Sequence, residues 1–359
     1  MRKMMYDVII IWAWASWLFL WSLLKDKKVA LIEKNEQAGN KLLLSWKGRC
    51  NFTNLNVNKE HYFWDDLERL QQLFKEFWAQ EVIKYFNEKG IETKEEDNGR
   101  MFLKSNKSKE LLSFLLKGNE ENGNTIFYNE EVTDISKEND GYSILTSSQT
   151  FLTKHIVIAS WWKTFPQIGG SDFIFRFSKK FWIAVQNPTP ALCWITTKED
   201  LSSLSWSSVF AEVVVKEKTG KSIFNKSWVI LFTHRGISWP LVFNLSLLLW
   251  KYKKELSELK IKLSIKQTDI TKRLLAYLKA PKWLRNYILS LTPQLLKDRE
   301  TAKVMAWWVL FDEVNESFEL KKAPGIFVLG EALNVTWETW GYNLQWCWTS
   351  AYHCAKALN

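Results

Sequence analysis

Three tryptophans, Trp12, Trp14 and Trp17, follow the first apolar strand at positions where a dinucleotide-binding loop has glycine. The chain reads D-V-I-I-I, then W-A-W-A-S-W, then an apolar stretch and V-A-L-I-E. Glycine at the three positions would give G-A-G-A-S-G between a strand and a helix. Glu33, 21 residues after the first of them, would lie where an acidic residue binds a ribose. The spacing therefore predicts a βαβ nucleotide-binding unit, which indole rings would obstruct because the backbone must approach a pyrophosphate there.

The composition shows the same anomaly along the whole chain. It contains 22 Trp and only 14 Gly, about 4% Gly against a usual ~7%. Many tryptophans occupy turn-like contexts, as in S-W-W-K at 160–163, S-W-P at 238–240 and T-W-G-Y at 339–342. Because some bacterial lineages read UGA as glycine, we interpret most of these tryptophans as glycines decoded with the wrong table. The alternative is a genuinely Trp-rich protein with an aromatic core, which UGG codons at positions 12, 14 and 17 would support.

Bulk properties place the chain among globular proteins large enough for two domains. It has 359 residues, of which 47% are hydrophobic and 25% charged, so it can bury substantial cores. The net charge is +10, but lysines alternate with glutamates, as between 251 and 260. This mixture favours a lysine-rich solvated surface over a nucleic-acid-binding face, and a basic surface also attracts anionic cofactors and substrates.

The four cysteines, Cys50, Cys193, Cys347 and Cys354, form no C-x-x-C pair. Their spacing argues against a structural zinc site and against the redox disulfide of thioredoxin-reductase-type enzymes. We therefore expect no metal site, and a reducing cytoplasm as the location.

The apolar run at residues 8–24, preceded by Arg2 and Lys3, has a second interpretation. Taken literally, it would be a signal anchor or a short transmembrane helix, and the chain an N-terminally anchored membrane protein. The run is at the lower limit of length for a span, and it lacks a small-residue cleavage site. With glycines restored it becomes a strand, a tight turn and a helix, so we expect no membrane span.

Hydrophobic periodicity predicts a nucleotide-binding domain interrupted by an inserted one. Residues 1–187 would form the first part of this nucleotide-binding domain, 188–303 an inserted β-rich and helical domain, and 304–359 the completion of the first domain. The predicted helices are 65–90, 109–122, a helical and highly charged region at 266–300, and one from about 343. The predicted strands are 125–135, 142–152, 155–160, 209–216, 227–233, 259–265, 304–311 and 325–329, with a hairpin turn at 140–141.

A second cluster, L-S-W-K-G-R-C-N-F-T-N at 44–54, combines glycine-like turns with Lys47, Arg49 and short polar side chains. This composition suits a loop that wraps an anionic cofactor through backbone and side-chain donors. A plain surface loop is the alternative.

With glycine restored, several segments resemble the bacterial NAD(P)/FAD-dependent oxidoreductases called BaiN-like, or aminoacetone-oxidase-type flavoproteins. They are the opening loop, S-G-K-G-R-C-N-F-T-N at 45–54, N-G-R-M-F at 98–102, A-S-G-G at 159–162, L-F-T-H-R-G-I-S-G-P at 231–240, A-G-G-V at 306–309, G-E at 330–331 and G-G-Y-N-L-Q-W at 340–346. The similarity spans nearly the whole chain, and Trp346 and Trp348 fit the family as true tryptophans. The chain departs from the family at Asn334, where Asp is common, and in a shorter region at 250–300.

The resemblance implies an α/β fold with a glutathione-reductase-like Rossmann domain that binds FAD, an inserted β-rich domain and a short helical segment. Gly330 and Glu331 would hold the ribityl and phosphate region. The helix that starts near Gly341 would face the flavin pyrimidine ring and stabilise negative charge on the reduced flavin. Val132 would lie near the adenine. The expected cofactor-binding residues are Trp12, Ala13, Trp14, Ala15, Ser16, Trp17, Glu33, Lys34, Ser45, Gly48, Arg49, Cys50, Asn51, Val132, Ala159, Ser160, Trp161, Trp162, Gly330, Glu331, Trp340, Gly341, Tyr342, Asn343 and Leu344.

Two residues are candidates for catalysis. His234, in the most distinctive loop of the inserted domain, would donate a proton near the flavin, or would only bond backbone groups. Arg49 would bind an anion. Cys50 could act as a nucleophile, but its motif contains no base, so packing is favoured.

Three function classes follow. The leading hypothesis is a cytoplasmic FAD-dependent oxidoreductase that moves a hydride through flavin N5 to or from a small molecule, with NAD(P)H or oxygen as the electron partner. The second is a flavin-dependent RNA-modifying enzyme, which a lysine or arginine cluster beside the flavin would favour; the sequence shows no such cluster, so a nucleic-acid partner is not expected. The third takes the chain literally as an anchored membrane protein. The oligomeric state is left open.

Overall fold

The computed structural model describes residues 5–12, 15–63, 66–121, 123–159, 173–186, 189–249, 256, 258–296, 302, 304–306 and 309–359. The chain divides into two compact units. Unit 1 consists of Met1–Pro188 and Ala306–Asn359, and unit 2 of Thr189–Met305.

The helices of the described residues include a long one at the C-terminal end of the chain. They are α1 (Ala15–Leu23), α2 (Asn40–Leu44), α3 (Leu67–Glu76), α4 (Ala79–Glu88), α5 (Ser108–Glu121), α6 (Phe173–Lys180), α7 (Pro240–Leu249), α8 (Lys272–Leu278) and α9 (Tyr342–Leu358). The strands are β1 (Met5–Ile11), β2 (Val29–Ile32), β3 (Asn51–Asn54), β4 (Tyr62–Phe63), β5 (Thr93–Glu96), β6 (Arg100–Leu103), β7 (Thr125–Phe127), β8 (Val132–Glu138), β9 (Gly141–Thr146), β10 (Thr150–Ile158), β11 (Thr189–Ala191), β12 (Ile195–Thr197), β13 (Ser208–Lys216), β14 (Ser222–Thr233), β15 (Gly236–Ser238), β16 (Lys260–Lys266), β17 (Asn286–Leu291), β18 (Pro293–Leu296), β19 (Val304–Ala306), β20 (Ile326–Val328) and β21 (Thr336–Trp337).

Unit 1 is built on a mixed sheet. Its parallel strands β1, β2 and β20 are mostly buried, and β9 and β8 extend the sheet from β10 in antiparallel order. Strand β1 pairs in parallel with β2 and β10, β2 pairs with β7, and β10 pairs with β20. The strands are runs of Ile, Val, Ala and Leu because helices cover such a sheet on both sides. Their carboxyl ends, including Ile11, Ile32, Ile158 and Val328, therefore meet at one edge, where open α/β sheets bind their ligands.

The apolar run at 8–24 is a buried strand followed by a nine-residue helix. Seven of the nine residues of α1 are buried, since this helix is apolar on all sides and packs inside the unit. In the part of the chain that the structure describes, the helices fall short of the length and apolar character needed to cross a bilayer.

Unit 2 is an antiparallel sheet in the order β17-β16-β13-β14-β15-β12-β18. Burial alternates along β13, β16 and β17, so one face of these strands packs in a core with Leu241, Val242 and Leu245 of α7, and the other face is solvated.

The prediction that 266–300 is helical is wrong. Within its described residues only α8 is an α-helix, and it ends where Lys279 adopts a left-handed backbone with φ 50°. Residues 286–291 pair instead with β16, which buries Tyr287, Leu289 and Leu291. The many charged residues made this region resemble a solvated helix, although apolar side chains recur at every second position, as they do in a half-buried strand. The helical region predicted at 65–90 contains two helices, with a break at Phe77 and Trp78.

Candidate functional site

The loop between β1 and α1 lies at the carboxyl edge of the parallel strands. Trp12 follows β1 directly, is buried, and has a left-handed backbone with φ 68°. The Ser16 hydroxyl is fully buried in the first turn of α1 and has no hydrogen-bond partner among the described residues. Ala159, after β10, donates its backbone N–H to Ile11 O (3.4 Å) and so lies beside this loop. Ala13, Trp14, Ser160, Trp161 and Trp162 are outside the described residues.

The predicted ribose-binding acid stands at the end of the neighbouring strand. The Glu33 carboxylate is buried and accepts hydrogen bonds from the backbone N–H and side-chain amide of Asn35 (2.8 and 2.7 Å). The Lys34 ammonium is paired with Glu131 (2.8 Å), on the surface. A short turn thus holds Glu33 at the carboxyl edge of the sheet.

The 45–54 segment brings a buried amide to the start of α9. Ser45 begins a short 3-10 helix that ends at Gly48, and β3 follows. The Asn51 side chain is 1% exposed, and its amide nitrogen and oxygen have no partner among the described residues. A Cβ at Gly341 (φ 99°) would lie 2.8 Å from Asn51 Oδ1 and 2.5 Å from the Thr53 carbonyl oxygen, so this approach requires glycine.

The C-terminal segments complete the same site. Gly330 (φ 58°) lies in a turn after β20, and a Cβ there would lie 3.0 Å from Ser16 Oγ. Trp340 also has a left-handed backbone (φ 87°), and its carbonyl oxygen accepts a hydrogen bond from the Asn54 amide (3.0 Å). Tyr342, Asn343 and Leu344 form the first turn of α9, whose backbone N–H groups have no partner within the helix, and Asn51 lies beside the N-cap residue Gly341.

A buried ion pair, which sequence patterns did not indicate, lies beside this turn. The Lys41 ammonium from α2 contacts the Glu331 carboxylate, and Asn343 Nδ2 donates to the same carboxylate (3.0 Å). Burial raises the pKa of Glu331 and lowers that of Lys41, while their contact opposes both shifts. Lys41 stands in a stretch rich in Lys, Asn and Leu whose only distinctive feature is Gly39 before α2.

Breaking this pair is expected to destabilise the fold strongly. Glu331→Gln leaves the Lys41 ammonium buried without its counter-charge, which should lower the free energy of unfolding by about 3–5 kcal/mol. Urea denaturation measures the loss, and adding Lys41→Met should restore part of it. The matched control, Glu131→Gln in the surface pair with Lys34, should lose no more than about 1 kcal/mol. Equal losses in the two variants would contradict a buried pair at Glu331.

Buried polar atoms without partners mark where a ligand fits. Besides Ser16 and Asn51, the Asn334 side-chain oxygen and the Thr336 hydroxyl lack partners within the described residues. Buried polar groups in native proteins are almost always hydrogen-bonded. Several unpartnered polar side chains in one part of unit 1 therefore indicate a bound polar molecule. Phosphates, ribityl hydroxyls and the flavin ring edge offer the donors and acceptors these side chains need. The residues therefore fit FAD.

Tryptophans with a left-handed backbone recur elsewhere in the described residues. This region is uncommon for residues with a Cβ and costs them about 1–2 kcal/mol. Trp182 and Trp206 are also 84% and 83% exposed, so no packing offsets that cost. The tryptophans concerned are Trp12, Trp182, Trp206, Trp239 and Trp340.

The indole N–H groups separate the buried tryptophans into two kinds. Trp346 donates to the Gly330 carbonyl oxygen (3.0 Å) and Trp348 to that of Phe52 (2.7 Å). The indole nitrogens of Trp12, Trp17 and Trp21 are buried without a partner among the described residues. Only the first kind satisfies the polar atom that it buries.

A histidine that the sequence did not single out is oriented beside α9. His61 Nδ1 lies 2.9 Å from Glu338 Oε2, and Glu338 is 4% exposed. The imidazole stacks on the Tyr342 ring (centroids 4.2 Å apart, 12° between planes). Pairing of β4 with β21 brings these residues together. Because Glu338 holds Nδ1, Nε2 is the nitrogen left to exchange a proton with a substrate.

The other candidates lie in different surroundings. Arg49 contacts the Glu96 carboxylate and donates to Asn106 Oδ1 (2.9 Å), so an anionic substrate would compete with these partners. His234 is exposed in unit 2, in the turn between β14 and β15. Cys50 is buried, which raises the pKa of its thiol and disfavours a nucleophilic thiolate. Val132 begins β8 and is fully buried. The roles of Arg49, His234 and Val132 stay predictions.

Comparison with known proteins agrees with this geometry. Residues 6–357 match the family model described as the HI0933-like protein Rossmann domain. The chain is 26% identical to the ribosomal RNA dihydrouridine synthase of Haemophilus influenzae, with 98% of each chain covered. It is 23% identical to the 3-dehydro-bile acid delta(4,6)-reductase of Clostridium scindens, with 92% of this chain and 93% of the relative covered.

A solved structure supports the fold. The 3-ketosteroid delta1-dehydrogenase of Sterolibacterium denitrificans superposes with a TM-score of 0.52 at 10% identity, over 99% of each chain. The expected Rossmann-type FAD-binding domain with an additional sheet domain is thereby confirmed. With a family match over nearly its full length, the chain belongs to the HI0933-like Rossmann family and is an FAD-dependent oxidoreductase.

Proposed function

We propose that this protein reduces a carbon–carbon double bond conjugated to a carbonyl group, with NAD(P)H as the electron source. The observation that carries the proposal is the group of unpartnered polar atoms around the α9 N-terminus, beside a carboxylate-held histidine. The relatives' names supply the reaction class. Dihydrouridine forms when the uracil double bond next to a carbonyl is reduced, and a 3-dehydro-bile acid carries double bonds conjugated with its 3-oxo group.

The residues of unit 1 would hold the cofactor. When bound, FAD supplies a hydride from N5 of its reduced form. Ser16 and the first turn of α1 would receive the pyrophosphate, Glu33 the ribose, and Glu331 with Asn343 the ribityl chain. The α9 N-terminus would stabilise negative charge on the flavin pyrimidine ring.

The proton for this reaction would come from His61. Hydride addition to the β-carbon leaves an enolate, which needs one proton at its α-carbon to give the saturated carbonyl product. Nε2 of His61 can deliver that proton, and the Glu338 carboxylate would hold the ring and stabilise its charged form. Glu338 is thus a positioning residue in this proposal.

We also infer that most tryptophans here replace glycine of the natural protein, as UGA recoding would produce. Left-handed backbones at Trp12, Trp239 and Trp340 support this, as do the unpartnered indoles of Trp17 and Trp21. The more specific resemblance to BaiN-like enzymes belongs to the same proposal. Peptide mass spectrometry of the native protein tests the inference, because each Trp-to-Gly replacement changes the peptide mass.

Anaerobic flavin spectroscopy tests the reaction. NADH or NADPH should bleach the visible flavin band, and an enone steroid or a uridine-containing RNA should restore it with one saturated product per flavin. A saturated ketosteroid and an RNA whose uridines are replaced by dihydrouridine are the matched controls, because both lack the conjugated double bond. Reoxidation by oxygen alone, with no product from either substrate, would refute the proposed reaction.

A further inference from the structure

The two units differ sharply in charge. Unit 2 contains 20 Lys and Arg residues against nine Asp and Glu, a net charge of +11. The whole chain carries +10, so unit 1 is left with −1. A charge asymmetry of this size between parts of one chain is typical of proteins that bind a polyanion.

Part of this charge lies on one face of the unit 2 sheet. Lys216 ends β13, and Lys260, Lys262 and Lys266 occupy alternate positions of β16, so all four point away from the core on neighbouring strands. We call these four residues the lysine face. Glu212 is the one carboxylate that shares this face on the described parts of β13, β14, β16 and β17.

The lysine face is not neutralised by the protein itself. Lys216 and Lys260 are direct cross-strand partners, an arrangement in which like charges repel. Lys260 donates to the Thr292 hydroxyl, which carries no charge. Within the described residues, Lys216, Lys262 and Lys266 form no ion pair, and the Lys218–Glu258 pair lies outside the face. An external anion would relieve this repulsion.

Apolar side chains adjoin the lysines. Ile288 of β17 pairs with Ser264, next to Lys266, and is 64% exposed. Phe210, 43% exposed, lies on the same face of β13, two residues before Glu212. The Phe210 ring beside these cations suits an unstacked base, which would lie flat on the ring while lysines contact phosphates.

We propose that the lysine face of unit 2 binds RNA and presents a uridine-containing strand as the substrate. The RNA class is favoured over an anionic lipid surface because polar Ser264 and Ser290 lie among the lysines, and the large apolar side chains exposed on the described part of this face are two, Phe210 and Ile288. The identification of the strand as substrate rests on the proposed function, whereas its binding does not.

Salt-dependent binding tests the inference with the FAD-loaded protein. The variant Lys216→Ser/Lys262→Ser/Lys266→Ser is compared with Lys75→Ser/Lys109→Ser/Lys137→Ser, which removes the same charge from exposed positions of unit 1. Fluorescence anisotropy of a labelled ribosomal RNA hairpin is measured over a series of salt concentrations. Each lost phosphate contact lowers the slope of log affinity against log salt by about 0.7–0.9, so the face variant should lose roughly two. The unit 1 variant should keep the wild-type slope.

Two results would overturn the inference. One is equal RNA binding by the two variants. The other is a face variant that loses binding to phosphatidylglycerol vesicles but keeps its affinity for RNA, since the face would then contact lipid. Flavin reduction by NAD(P)H and oxidation by an enone steroid, measured on the same samples, report the proposed reaction separately. If the wild-type protein binds RNA through the lysine face but shows neither of those activities, the proposed reaction is refuted and RNA binding by the face remains supported.

Discussion

A chain with glycine at positions 12, 14 and 17 is expected to purify yellow with bound FAD, whereas the chain with tryptophan there should be colourless. An indole brings ~150–250 Å² of ring to a turn where a pyrophosphate must contact bare backbone. At Trp12 the left-handed backbone adds a further ~1–2 kcal/mol of strain, which glycine removes. Flavin absorbance after heat release measures the bound cofactor.

Glycine at Trp346 and Trp348 provides the opposite control. Both indoles are fully buried and donate to backbone carbonyl oxygens, so Trp346→Gly/Trp348→Gly should lower the free energy of unfolding by more than about 3 kcal/mol. Stoichiometric FAD in the chain that keeps tryptophan at 12, 14 and 17 would contradict the first prediction. Destabilisation by glycine at those three positions would do the same.

Replacing His61 is expected to slow product formation about 10²- to 10⁴-fold, the usual contribution of a positioned general acid. The variant His61→Gln should still bind FAD and be reduced by NAD(P)H at the wild-type rate, because only the protonation of the substrate is lost. Stopped-flow absorbance separates the two half-reactions.

Glu338→Gln and His155→Gln provide the comparisons for His61. Without the Glu338 carboxylate, the imidazole loses the partner that holds Nδ1, so Glu338→Gln should also slow flavin reoxidation by substrate while flavin reduction stays at the wild-type rate. His155→Gln makes the same change at another partly buried histidine of unit 1 and should leave both half-reactions unchanged. An unaltered reoxidation rate in His61→Gln would exclude this residue as the proton donor.

The sequence predicted the parts of the fold that local patterns encode. The first βαβ unit and the start of α9 were recognisable because strand, turn and helix signals follow one another within a few residues. Lys41 with Glu331, and His61 with Glu338, were not recognisable, since each pair is separated by more than 270 residues and meets only through tertiary structure. Strands β17 and β18 were missed because charged residues surround them in the sequence. Their pairing with β16 and β12 is visible only in the tertiary structure.

Helix α9 has a consequence for the order in which the protein is made. It lies at the end of the chain, yet Trp348 bonds the β3 backbone and Asn359 bonds the carbonyl oxygen of Leu23, beside the end of α1. On the ribosome, unit 2 is synthesised as one continuous segment, whereas unit 1 cannot complete its fold until α9 has been synthesised. Flavin capture is therefore expected only after synthesis passes α9, so a stalled or nicked chain would expose an unfinished nucleotide fold to proteases and aggregation.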